Sequence, residues 1–216
     1  MVALVACSQT QAIPATERLK PCTGYDTPAD AYCGTLKVFE NRETKQGRQI
    51  DLNIVLLPAL RADAQPDPLF FLAGGPGQGA AKLAPVVREM FRRVQADRDI
   101  VLVDQRGTGK SHPLECESED TDDSLAETIE TTDQTLARLK TCLAKYDADL
   151  TQYTTTIAMD DLDDVRAFLG YERINVYGGS YGTRAALVYM RQHGDRVRSA
   201  ILDGVAPTFM RLPLYF

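Results

Sequence analysis

Positions 34–40 and 49–57 alternate apolar with polar residues, the period of a half-buried strand. The polar segment 41–48, with Gly47, joins them as an antiparallel hairpin, and Pro58 ends the second strand. After residue 68 the pattern changes. Runs at 69–73, 100–103, 173–177 and 199–202 are apolar almost throughout and bounded by Gly or Asp. Runs that short suit strands buried on both faces, as in a parallel sheet. Between them lie helix-forming stretches at 81–96, 124–145, 157–169 and 183–193. A hairpin followed by strand–helix alternation predicts an α/β fold: a mostly parallel sheet with an antiparallel N-terminal hairpin. In the third helix Leu162, Val165 and Leu169 share one face, and Gly170 stops it. Its acids, from Asp160 to Asp164, read as an acidic first turn favoured by the helix dipole rather than as an acid/base pair.

One strand-to-helix junction carries chemistry. Gly178-Gly179-Ser180-Tyr181-Gly182 fits G-x-S-x-G between a strand and a helix. A reversal this tight leaves no room for a Cβ at Gly178 or Gly182 and strains the central residue. It projects the Ser180 hydroxyl over the C-terminal edge of the sheet. The Tyr181 amide then opens a helix, where a free N–H and the dipole stabilise an oxyanion.

Two further loops leave the same edge. Gly74-Gly75-Pro76-Gly77-Gln78-Gly79 follows the first buried strand and presents backbone N–H groups. Its glycines do not meet the G-x-G-x-x-G spacing of a nucleotide cradle. The turn 104–111 ends in Gly-Lys-Ser, but a P-loop needs glycine where Asp104 stands. Asp104 and Arg106 read as supports of the site rather than reactants, beside the loop glycines Gly74 and Gly77.

A serine nucleophile needs a base, usually histidine oriented by an acid. The chain has 2 histidines, His112 and His193, and neither fits the order serine, acid, histidine. His193 sits near the far end of the helix that Ser180 begins, roughly 20 Å away.

Composition narrows the class. A net charge of −6 argues against nucleic acid as the natural partner, and no apolar run approaches a membrane span. Segment 115–133 is strongly acidic without Lys or Arg; its irregular spacing reads as a solvated excursion, not a metal site. The 5 cysteines contain no C-x-x-C pair, so no zinc site is expected. Leu4-Val5-Ala6-Cys7 has the form of a lipobox, making Cys7 a candidate for lipidation; the alternative is an ordinary small-residue N-terminus. Export to an oxidising envelope or extracellular compartment would allow bridges Cys22–Cys33 and Cys116–Cys142, the pairing in which each bridge is local.

Four motifs stand in a telling order: Gly74-Gly75-Pro76-Gly77, Asp104 to Gly109, Gly178 to Gly182, and Leu202-Asp203-Gly204-Val205. Together they resemble the α/β-hydrolase proline iminopeptidase group, and more narrowly its secreted tripeptidyl-aminopeptidase branch, which shares a segment like Tyr32-Cys33-Gly34-Thr35-Leu36. One departure is Ala73, where the group usually has His or Pro. The resemblance implies Ser180 as nucleophile, the Tyr181 and Gly75 amides as oxyanion hole, no cofactor, and release of amino-terminal residues or short peptides. It also implies a helical cap after Asp203, followed by strands bearing the acid and the histidine. None of these is present in the sequence. The expected division is a tail or export remnant over 1–20, the N-terminal part of a hydrolase core over 21–206, and the start of a connection to a cap over 207–216. The cap, acid and histidine would come from a C-terminal segment or second chain. An esterase of the same fold and a non-catalytic binding module are the alternatives.

Overall fold

The computed structural model describes residues 14–24, 27–115 and 131–210. The hairpin forms as the alternation predicts: β2 (Tyr32–Phe39) pairs antiparallel with β3 (Gln49–Leu57), after a two-residue strand β1 (Lys20–Pro21). That first strand precedes the first alternating run; Pro21 is tolerated because β1 is an edge. The Cys22–Cys33 disulfide joins the start of β2 to the end of β1. Cys7 and Cys116 lie outside the described residues, and so does most of the acidic segment.

The strands β4 (Leu69–Leu72), β5 (Ile100–Val103), β6 (Ile174–Gly179) and β7 (Val197–Asp203) are parallel to one another. The single sheet runs β1-β2-β3-β5-β4-β6-β7. β3 shows why its pattern changes along its length. Its first half alternates, with Ile50 and Leu52 buried and Gln49 and Asp51 exposed. Its last four residues, paired with β5, are all buried. There the sheet is covered on both faces. Ile54, Phe70, Val101 and Val176 face one core, against α4 (Thr155–Leu169) and α5 (Tyr181–His193). Val55, Phe71, Leu102 and Tyr177 face the other, under α1 (Ala84–Met90) and α2 (Arg92–Gln95).

The helix expected over 81–96 is broken at Phe91, which leaves helical geometry at φ −108°. The break swings its ring onto Tyr177, 4.9 Å away, and so covers the end of the second core. Helix α3 (Thr132–Leu143) starts with a Thr131/Gln134 capping box. Helix α4 corrects the sequence reading. Thr154 caps it, so the first turn holds no acid, and the acids lie in later turns where each has a partner. Gly170 does end it in the left-handed conformation, at φ 85°.

Strand β7 pairs with β6 on one side, and among the described residues nothing pairs with its other edge. Four successive residues, Arg198 to Ile201, are exposed. Among the described residues no helix is long and apolar enough to cross a membrane.

Two acids give the fold a pH dependence. Burial opposes the charge on Asp163, yet Arg166 Nε at 2.6 Å and the Tyr189 hydroxyl at 2.9 Å hold its carboxyl below the usual range. Asp67 is likewise held low against burial by Asn175 Nδ2 at 2.7 Å and Arg98 Nε at 3.2 Å. A depressed carboxyl contributes its full stability above the unfolded value and loses it as pH falls through the folded one. The urea midpoint should therefore fall progressively as pH drops below about 4, the ordinary carboxyl value. Asp163→Asn should flatten part of that drop; an unchanged slope would exclude this carboxylate as a source.

Candidate active site

Ser180 sits between β6 and α5 at φ 53° and ψ −120°, a backbone region that L-residues rarely adopt. Crowding enforces it. A β-carbon on Gly178 would lie 2.3 Å from the Gly182 carbonyl oxygen, and one on Gly182 would lie 2.2 Å from that of Leu72. Only glycine allows β4, β6 and α5 to approach this closely. The Ser180 N–H donates to the Asp203 carbonyl at 2.8 Å, and the Ser180 carbonyl accepts from the Thr183 N–H and hydroxyl at 2.9 and 2.7 Å. The side chain stays exposed.

Strain held by its surroundings is worth about 1–3 kcal/mol. Ser180→Gly should therefore raise unfolding stability by about 1 kcal/mol, net of the added freedom of the unfolded chain. Ser180→Ala keeps the β-carbon and should leave it unchanged. Equal stabilities for all three proteins in urea would show the turn to be relaxed.

The glycine loop after β4 comes to the same place. A β-carbon on Gly74 would lie 3.4 Å from Ser180 Cβ. Gly75 and Gly77 have φ of 105° and 102°, so the loop turns through conformations reserved for glycine. Tyr181 is the first residue of α5, so its N–H has no acceptor within the helix.

Asp104 does not touch Ser180; it holds the loop. Its carboxylate, 2% exposed, accepts from the Ala81 N–H at 2.8 Å, Asn53 Nδ2 at 2.9 Å and the Lys110 N–H at 3.0 Å. Gly79 packs against Gly109, with room for no β-carbon. Arg106 is tied still further from reaction. Its Nε and Nη2 bind the two oxygens of Asp161 at 2.6 and 2.8 Å, and its Nη1 donates to the Glu40 and Gln152 carbonyls at 2.8 and 3.0 Å. Asp161 is 2% exposed and also accepts from Arg42. The sequence reading missed this partner, because the residue was assigned to an acidic surface turn. The three threonines 154–156 before Ile157 are the signal that moves the helix start back.

Both histidines are engaged elsewhere. His193 Nε2 lies 2.9 Å from Asp160 Oδ1, at the opposite end of α5 from Ser180. His112 Nε2 lies 3.3 Å from the Asp147 carbonyl, and its ring stacks on Tyr153. Among the described residues neither is hydrogen-bonded to Ser180, and no cluster of His, Cys, Asp and Glu fits a metal ion. No local pattern marks the Tyr177–Asp203 bond, 2.7 Å across the top of β6 and β7. Burial and that carboxylate push the Tyr177 phenol up to about 12, so it keeps its proton and donates it.

The chain has relatives of known name. It is 30% identical over 193 residues to the serine protease Hip1 of Mycobacterium tuberculosis, covering 82% of this chain and 36% of that protein. It is 31% identical over 138 residues to the proline iminopeptidase of Neisseria gonorrhoeae, covering 64% of this chain and 32% of that one. The chain thus spans about a third of the length of these relatives. An α/β hydrolase of Novosphingobium aromaticivorans has a similar fold, with TM-score 0.51 at 15% identity over 81% of this chain and 44% of that one. A family model described as the α/β-hydrolase fold matches residues 67–214, and the chain belongs to that family.

Proposed function

We propose that Ser180 is the nucleophile of a serine peptidase that releases amino-terminal residues or short peptides through an acyl-enzyme. The carrying observation is the strained turn at Ser180, with the Gly74 loop against it. The names of the relatives, a serine protease and proline iminopeptidases, favour peptides over simple esters. In this reading the Ser180 Oγ attacks the scissile carbonyl while a base takes its proton. The oxyanion is held by the N–H groups of Gly75 and Tyr181, each such donor being worth about 10²–10³ in rate. The base returns the proton to the leaving amine, and water then hydrolyses the ester. No metal or cofactor takes part.

The base and its acid come from polypeptide other than these 216 residues, since both histidines of the chain are committed elsewhere. The edge of β7 that nothing pairs with among the described residues is where such a polypeptide would extend the sheet. Asp104, Gly74 and Gly77 shape the loop, and Arg106 ties the turn behind it to α4. The disulfide favours an oxidising compartment, with Cys7 as an anchor point for lipid.

The test is labelling with a fluorophosphonate, on this chain alone and after complementation with a polypeptide carrying an acid and a histidine. Modification at Ser180, faster on complementation, is expected. Absence of labelling in both arrangements would favour a binding module, and preference for p-nitrophenyl esters over peptide p-nitroanilides would favour an esterase.

A further inference from the structure

An open cavity of about 200 Å³ is walled by the Gly74–Gln78 loop, the turn after β5, the start of α4 and Tyr181; it meets Ser180 through Gly74, whose β-carbon would lie 3.4 Å from Ser180 Cβ, and through Tyr181, the next residue. It is smaller than the roughly 300–1,000 Å³ of sites that enclose a whole small molecule. It has room for one side chain. Its apolar wall is made by Pro76, Leu114, Tyr153, Ala158 and Tyr181.

The charged groups around it are already paired, and the Gln78 and Gln105 amides on its wall carry no charge. Arg106 reaches the wall, but its side chain is 1% exposed and its donors are spent on Asp161 and on the carbonyls of Glu40 and Gln152. Glu40 is turned behind the wall, accepting from the Tyr153 hydroxyl at 2.9 Å and the Asp149 N–H at 3.2 Å. The Thr155 and Tyr181 hydroxyls satisfy each other at 2.6 Å. A charged side chain entering here would leave water without finding a counter-charge, and that desolvation is expensive. An aliphatic one would lose only water.

We infer that this cavity is a specificity subsite that takes one aliphatic side chain flanking the bond that Ser180 attacks. The placement of that bond rests on the reading of Ser180 as nucleophile; the preference for an aliphatic group does not. Leu114, which is half-buried and packs beside Gly107, sets the depth.

Two measurements separate the claims. In ligand-observed NMR on this chain, N-acetyl-leucinamide should receive saturation from the protein, while the lysine and glutamate analogues should not. Leu114→Phe should suppress the leucine signal, Leu114→Ala should extend it to the phenylalanine analogue, and Ser180→Ala should leave it as it was. Equal signals from charged and aliphatic amides, or a leucine signal indifferent to both Leu114 variants, would overturn the subsite. On the complemented protein, diphenyl aminoalkylphosphonates with leucine and lysine side chains should label Ser180 at rates differing about tenfold or more. Leu114→Phe should erase that difference while fluorophosphonate labelling persists. A difference that survives Leu114→Phe would overturn the subsite with the nucleophile intact. NMR selectivity without any labelling would keep the pocket and remove Ser180 from the chemistry.

Discussion

Ser180→Ala should abolish fluorophosphonate labelling and lower turnover of a peptide p-nitroanilide by the complemented protein by about 10⁶-fold, the scale seen when a serine hydrolase loses its nucleophile. The expectation is sharp because the substitution is structurally silent. Alanine keeps the β-carbon, and with it the φ of 53° that the neighbouring glycines impose. The hydrogen bonds at this turn, to Asp203 and from Thr183, use the backbone of residue 180 and survive. Stability should match the parent, so lost activity cannot be blamed on unfolding. Turnover above about one part in 10³ would mean that something beyond oxyanion stabilisation and binding still acts, and that Ser180 is not the nucleophile.

Gly182→Ala should damage both fold and chemistry. Its β-carbon would sit 2.2 Å from the Leu72 oxygen and 2.9 Å from the Ala73 oxygen. Both are backbone atoms of the strand that leads into the Gly74 loop, so no side chain can swing aside. The first turn of α5 must move away from β4, and the Tyr181 N–H moves with it. Overpacking of this kind costs about 1–3 kcal/mol or more, and a 1 Å misplacement at a reacting centre costs about 10²-fold in rate. Both losses should appear together, in the urea midpoint and in kcat/KM. Gly194→Ala is the control. It follows the same helix at φ −61° and would meet nothing within 4 Å, so it should be neutral or slightly stabilising. Similar behaviour of the two variants would refute the steric account of the turn.

Which parts of this site could be read before folding follows from how each was encoded. The strands and the elbow were legible because their signals are local. Alternation, short apolar runs and glycines at fixed offsets act within a few residues. The helix over 81–96 was read as continuous because propensity does not register the aromatic surface that Phe91 turns to cover. The role of Asp161 was hidden for a different reason. Its partner Arg106 is 55 positions away, and the two meet only after α4 packs behind the turn that follows β5. A buried ion pair looks, in one dimension, like two surface charges. The wall of the cavity was equally illegible, being assembled from four separate segments.

The fastening of the Gly74 loop also says something about the order of assembly. Asn53, Ala81, Asp104 and Lys110, the groups joined by that one carboxylate, all precede the serine by 70 residues or more in sequence. During synthesis the cradle can therefore close while Ser180 is still inside the ribosome. The nucleophile would then arrive last, folding onto a receptor already set rather than shaping one around itself.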